Sequence, residues 1–233
     1  MAAQKRPLLV TFSGIDGAGK STQIAMLRAC LAEAGLASSL HTFWDDVAVL
    51  SHFREVSSQH VFRGEQGVGT PDHPINRRDK NVESWLLTWI RALLYCLDAA
   101  HLLYVIAKTR KSPADVAIFD RYIYDELANL PLQRWAIRYY VQLILKFIPK
   151  PDVAYLIDAD PVLARGRKPE YPYEFLQRNR AAYLTLNELT GTMTVIHPSS
   201  MTEAQWKVVE SLVQELPHHK REFFSTAKTL IES

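Results

Sequence analysis

Between Gly14 and Ser21 the chain reads Gly14-Ile15-Asp16-Gly17-Ala18-Gly19-Lys20-Ser21, followed by Thr22. The spacing G-x-x-x-x-G-K-[ST] suits one kind of chemistry, the holding of phosphates. Glycines let backbone N–H groups turn inward onto phosphate oxygens, and a following helix adds the partial positive charge of its N-terminus. In such a cradle Lys20 reaches the β- and γ-phosphates of a nucleoside triphosphate and the Ser21 hydroxyl ligates magnesium. The expected ligands are ATP and Mg2+. The expected nucleotide-binding set is Gly14, Asp16, Gly17, Ala18, Gly19, Lys20, Ser21 and Thr22.

Two further groups fit the same chemistry. In Ile118-Phe119-Asp120-Arg121-Tyr122 a carboxylate closes an apolar run and a guanidinium follows at once. Asp120 can orient magnesium water, which makes Ser21 and Asp120 the expected metal residues, while Arg121 can take a phosphate bidentately. Arg165, Arg167 and Lys168 come just after Asp158-Ala159-Asp160-Pro161. A mobile segment around 159–172 that delivered guanidinium groups over the phosphates would be a lid, stabilising spread charge and excluding water. The expected catalytic residues are therefore Lys20, Asp120, Arg121, Arg165 and Arg167.

Short β-rich runs separated by helical patterns must position these groups. Strands are expected at Pro7–Phe12, Ser39–Trp44, Val116–Phe119, Val153–Ile157 and Met193–His197. Helices are expected at Lys20–Ala34, Ser84–Lys108, Gln133–Phe147, Pro172–Leu189 and Glu203–Leu216. Strand–helix–strand crossovers can only be parallel and right-handed, which gives an α/β fold: a five-stranded parallel sheet flanked by helices in three layers. Ligands of such sheets lie beyond the carboxyl ends of the strands, here marked by Gly14, Asp45, Asp120 and Asp158.

Bulk composition narrows the field. The 233 residues carry a formal charge of +2, which supplies no field for nucleic acid or an anionic membrane. Two cysteines, Cys30 and Cys96, are too few for a disulfide framework and read as buried thiols of a reducing, cytoplasmic compartment. Met1–Pro7 is short and polar, unlike a signal peptide. Ala92–Ala107 and Ala136–Ile148 are interrupted by charge, fall short of the ~20 residues of a membrane span and read as core helices. No linker or repeat divides residues 1–233, so one domain with a small lid is expected. Gly64–Gly69 reads as a flexible loop, and the eight histidines, His218 and His219 included, show no metal-ligand spacing.

Together, Thr11 to Gln23, Asp120-Arg121-Tyr122, Pro151-Asp152 to Asp158, the Arg165–Lys168 cluster and Arg178 to Leu184 resemble the thymidylate kinase family of P-loop nucleoside monophosphate kinases. The resemblance runs from Leu8 to His197 and implies transfer of the γ-phosphoryl group of ATP to a nucleoside monophosphate, dTMP first among them. Carried over, Asp16 would contact the acceptor sugar and Arg121 its phosphate. Gly17 and Ala18 stand where some members have an arginine, which passes charge stabilisation to Arg165 and Arg167. Members often form homodimers through helices flanking the sheet.

Departures gather on the acceptor side. Phe43-Trp44-Asp45-Asp46-Val47 replaces an Arg-Glu-Pro-Gly run, Asp98 is followed by Ala99 instead of arginine, and Asp125-Glu126 replaces a Ser-Ser pair. Two other readings stay open on the residues. In a deoxynucleoside kinase or other hydroxyl kinase, Asp45 or Asp46 would be the base, since carboxylates facing an already charged acceptor repel it. A non-catalytic ATP-binding switch would dispense with the acceptor signature altogether.

Overall fold

Leu8–Ser13, Val116–Asp120 and Val153–Ile157 form strands because short runs rich in apolar and β-branched residues suit a sheet covered on both faces. The structure, a computed structural model, describes residues 6–49, 85–197 and 200–216. Its elements are β1 (Leu8–Ser13), α1 (Lys20–Glu33), β2 (Ser38–Thr42), a π-helical turn (Phe43–Val47), α2 (Trp85–Thr109), β3 (Val116–Asp120), α3 (Ile123–Leu127), α4 (Trp135–Phe147), β4 (Val153–Ile157), α5 (Pro161–Arg167), α6 (Tyr173–Thr190), β5 (Met193–Ile196) and α7 (Met201–Glu215). The five strands are parallel in the order β2-β3-β1-β4-β5. β1 and β4 are buried almost throughout, whereas the edge strand β2 is half-exposed along its length. The expected loop at Gly64–Gly69 and His218-His219 lie outside the described residues.

Register sets the rim. Asp120 lies beside Phe12 of β1 on one side and Thr42 of β2 on the other, so the ends of three strands face one edge of the sheet. α1 packs with α7, and α6 packs with α3, α4 and α5. α2 is the most apolar helix, and by length and composition its segment Thr88–Thr109 could cross a membrane. It is longer than the Ala92–Ala107 run read from the sequence. Tyr95, Asp98, Leu102 and Ile106 are nevertheless buried in the protein, which makes it a core helix on that face. Cys30 is buried as expected, but Cys96 is half-buried beside the Tyr140 hydroxyl.

Three expectations need correction. β2 stops at Thr42, short of Trp44, because the Asp46 carboxylate accepts the Thr42 N–H at 2.7 Å and the Ala48 N–H reaches back to the Phe43 carbonyl at 2.8 Å. A side-chain acceptor thus draws the chain into a turn despite two aromatic residues of high strand propensity. α3 has no counterpart in the expected elements, since five residues are too few for a helical period to register. The expected helices also lack α5, which lies in the segment expected as a mobile lid and is started by Asp160, whose carboxylate accepts from Val162 and Leu163 N–H at 2.8 and 3.2 Å, with Pro161 in the first turn.

Candidate active site

β1 and α1 position the cradle between them. Gly14, Gly17 and Gly19 all have positive φ, a backbone that side chains oppose. At Gly14 a Cβ would run into the Ile157 carbonyl, and at Gly17 into the Ala164 carbonyl of α5. The loop is thus pressed between β4 and the lid helix. No side chain caps α1 and its first turn holds no acid, so the free N–H groups there suit an anionic ligand. Ser21 and Thr22 are exposed on that first turn.

Lys20 is buried and its Nζ donates to the Gly14 and Ile15 carbonyls at 2.7 and 2.9 Å. Burial, with Arg121 nearby, pulls its pKa from 10.5 down to about 8 against the opposing pull of Asp16, Asp125 and Asp120. Burial also pushes the Asp120 carboxyl upward, countered by Lys20 and Arg121. Arg121 occupies the left-handed region at φ 71°, fixed by its N–H to the Phe12 carbonyl at 3.0 Å. Burial disfavours its charge, yet Asp16 and Asp125 outweigh that and hold it firmly protonated. Its Nη2 donates to Asp16 Oδ1. Lys20, Asp16, Asp120 and Arg121 are therefore brought together as the sequence suggested.

The lid residues divide. Arg167 lies over the loop, its Nη1 donating to the Gly17 carbonyl at 3.3 Å, whereas Arg165 is half-buried on the same short helix. Lys168 turns away to pair with Glu170 at 3.3 Å. On the other flank of the loop, Arg180 of α6 forks onto Asp158 at 2.6 and 2.7 Å. That bidentate pair fixes the end of β4 beside Gly14, a role the sequence signalled only through the position of Asp158 at a strand end.

Of the acidic residues suspected of facing the acceptor, Asp125 approaches Arg121, its Oδ1 3.8 Å from Nη1, and the others face water or are committed elsewhere. Asp46 is spent on the Thr42 N–H, and Asp45 is exposed without a hydrogen bond or ion pair among the described residues. Asp125 is buried, with Oδ2 accepting the Ser13 hydroxyl at 2.7 Å and the Tyr122 N–H at 3.0 Å. Glu126 is buried too and interacts with Tyr95 of α2, whose hydroxyl also accepts from Arg91 at 2.9 Å. Asp98 accepts the Val49 N–H at 2.8 Å and His101 Nδ1 meets the Val47 carbonyl at 2.8 Å, so α2 holds the segment that follows β2. Trp44 is partly exposed, edge-on to Phe43.

A parallel sheet with a phosphate cradle after its central strand, and an arginine-bearing helix pressed against that cradle, defines a P-loop kinase of the nucleotide kinase type. No family model matches the chain. A thymidylate kinase of Bifidobacterium longum (strain DJO10A) is 27% identical over 220 residues, covering 90% of this chain and 98% of that protein. A protein described as "Probable thymidylate kinase" from Pyrococcus abyssi (strain GE5 / Orsay) is 26% identical over 218 residues, covering 90% and 97%. The crystal structure of thymidylate kinase from Ehrlichia chaffeensis superimposes with a TM-score of 0.54 at 20% identity, covering 89% of this chain and 98% of the other, a likeness of fold. Over nearly its whole length the chain is thus similar to thymidylate kinases, in sequence to the first two and in fold to the third.

Proposed function

We propose that the chain transfers the γ-phosphoryl group of ATP to a nucleoside monophosphate, with dTMP as the acceptor. The observation that carries this reading is Arg121, held in a left-handed turn within reach of Asp16 at the mouth of the Lys20 loop. A guanidinium there can receive an acceptor phosphate opposite the donor phosphates, and Asp16 would contact the acceptor sugar. The loop amides and the α1 N-terminus would bind the triphosphate, with Lys20 swinging from the Gly14 and Ile15 carbonyls onto phosphate oxygens. Ser21 and Asp120 would hold magnesium, which when bound neutralises charge on the transferring group. The family's ion needs few protein ligands because phosphates supply the others.

The lid is part of the same proposal. Arg167, already over Gly17, and Arg165 would stabilise the equatorial oxygens as an acceptor oxygen attacks the γ-phosphorus and the bond to ADP breaks. Pre-placement of all these groups on packed elements is what makes the transfer effectively unimolecular.

ADP release measured with ATP and magnesium against a panel of dTMP, other nucleoside monophosphates, thymidine and no acceptor tests the reading. Release driven by dTMP, with the label found in dTDP, is the expected result. Release driven by thymidine alone would move the activity to a hydroxyl kinase, and acceptor-independent binding without turnover would leave a switch.

We also infer a homodimer. Trp85, Trp89, Leu93 and Leu97 of α2 and Trp135, Tyr139, Leu143 and Phe147 of α4 form two exposed stripes at i, i+4 spacing. The helices are tied together, Tyr140 donating to the Ala92 carbonyl at 2.5 Å and Arg134 lying 5.1 Å over the Trp85 ring. Trp135 is 83%, Phe147 70% and Leu93 65% exposed, large apolar side chains of the kind that a second copy would cover. Light scattering should give twice the 26.6 kDa chain mass, and Leu93→Arg should return it to the single mass.

A further inference from the structure

Two contacts one helical turn apart fasten α6 to the end of β4 and to α3, the short helix that follows β3. Arg180 grips Asp158 at the end of β4, and three residues later the Tyr183 hydroxyl donates to Asp125 Oδ1 at 2.7 Å. Asp125 is the meeting point: besides Tyr183 it takes the Ser13 hydroxyl and the Tyr122 N–H, and its Oδ1 lies 3.8 Å from Arg121 Nη1. A second line runs in parallel, Asn179 donating to Asn129 Oδ1 at 3.2 Å and Asn129 donating to the Asp125 carbonyl at 2.8 Å. Asp125 and Tyr183 are each 3% exposed.

Burying a carboxylate costs free energy even when it is paired, so such a group is weak evidence for stability alone. What it does supply is orientation, because a fully satisfied polar network has one geometry. Arg121 has two carboxylates to choose from: Nη2 meets Asp16 and Nη1 faces Asp125. An acceptor phosphate arriving at the loop must compete with Asp16 for the guanidinium. Asp125 is buried and approaches from the protein side, so its contact would persist through that exchange.

We propose that Asp125 and Tyr183 are positioning residues for Arg121, so that α6, the helix that follows the lid helix α5, sets the orientation of the acceptor-binding guanidinium. The inference rests on the phosphotransfer reading above. It explains an otherwise costly feature: a buried acid one helical turn from the arginine meant to receive an anion. Burial, reinforced by Asp125, pushes the Tyr183 phenol well up, so it stays a hydrogen-bond donor at any working pH.

Tyr183→Phe, Asp125→Asn and the double variant, assayed with ATP, magnesium and dTMP, test this. Asp125→Asn should lower kcat/KM for dTMP about 10- to 100-fold and Tyr183→Phe about 3- to 10-fold, the scale of a misplaced orienting group, with KM for ATP within about twofold. The double variant should be no worse than Asp125→Asn, since both act through one carboxylate. Tyr183→Phe leaves every buried charge paired and remains informative if Asp125→Asn fails to fold. A folded Tyr183→Phe with unchanged kcat/KM for dTMP, or with equal losses toward ATP, overturns the proposal whatever happens to its melting temperature. If the unaltered protein turns over no nucleoside monophosphate, the phosphotransfer reading fails first; an active protein indifferent to Tyr183 fails this inference alone.

Discussion

β1 and β2 flank β3 and end at the same rim, their last residues beside Asp120 or one step beyond it. β1 runs into a loop whose shape is dictated by backbone: three glycines at positive φ, one lysine folded onto carbonyls, and neighbours on both flanks too close for a Cβ. β2 is half-exposed, stops two residues early and turns out through Phe43–Val47 with Asp45 facing water. The first end is a fixed cradle for a group that every substrate of this chemistry shares. The second is a place where side chains can change without disturbing the sheet, since the edge strand is half-exposed there. One end is shaped by backbone and the other by side chains.

Removing the cradle's one cation is the most severe way to break this comparison. Lys20→Ala should lower kcat by about 10²- to 10³-fold or more, since a preorganised group aimed at developing charge is lost. Steady-state ADP release reads it, and near-normal turnover would remove the loop from the mechanism. Its burial also sharpens the comparison through pH. With the pKa brought from 10.5 to about 8, the unfolded chain binds more protons than the folded one between those values. This group's contribution to stability therefore rises with pH across that window, and its full cost is felt below pH 8. ATP favours the charged ammonium, so calorimetry at pH 8.5 in buffers of different ionisation heat should show proton uptake on binding. At pH 6.5 that uptake should vanish, as it should at both pH values in Lys20→Ala.

The same division explains what could be read in advance. Gly14 to Ser21 announces itself because its geometry is local: the residue types needed for turn, amide cradle and helix start are consecutive. The parallel sheet, too, follows from short apolar runs between helices, whereas the order β2-β3-β1-β4-β5 does not. Asp125 is different. Its partners Ser13 and Tyr183 lie 112 and 58 residues away, so nothing in the local pattern Asp125-Glu126 separates an inward-facing anchor from an acid that greets substrate. Asp46 was ambiguous for a related reason, since a capping acid and a catalytic acid look alike until the Thr42 N–H is seen on its carboxylate. Asp160-Pro161 did carry a legible helix start, and α5 could have been found from it.

The smallest expected effect belongs to Asp45, and it is the one that decides what the β2 end is for. A base must reach the hydroxyl it activates within hydrogen-bond distance, held there by other groups. Asp45 has the right chemistry and the right strand end but nothing among the described residues to orient it, whereas Asp46 is committed to the backbone. Asp45→Ala should leave kcat and KM for dTMP within about twofold, as for surface changes away from a site. Asp46→Ala should cost about 1 kcal/mol of stability through the lost N–H acceptor, with turnover otherwise kept. A hundredfold fall in kcat for Asp45→Ala alone, with Asp46→Ala active, would make Asp45 the base after all. The half-exposed end of β2 would then be the reactive one, and the acceptor a hydroxyl that Arg121 had no need to meet.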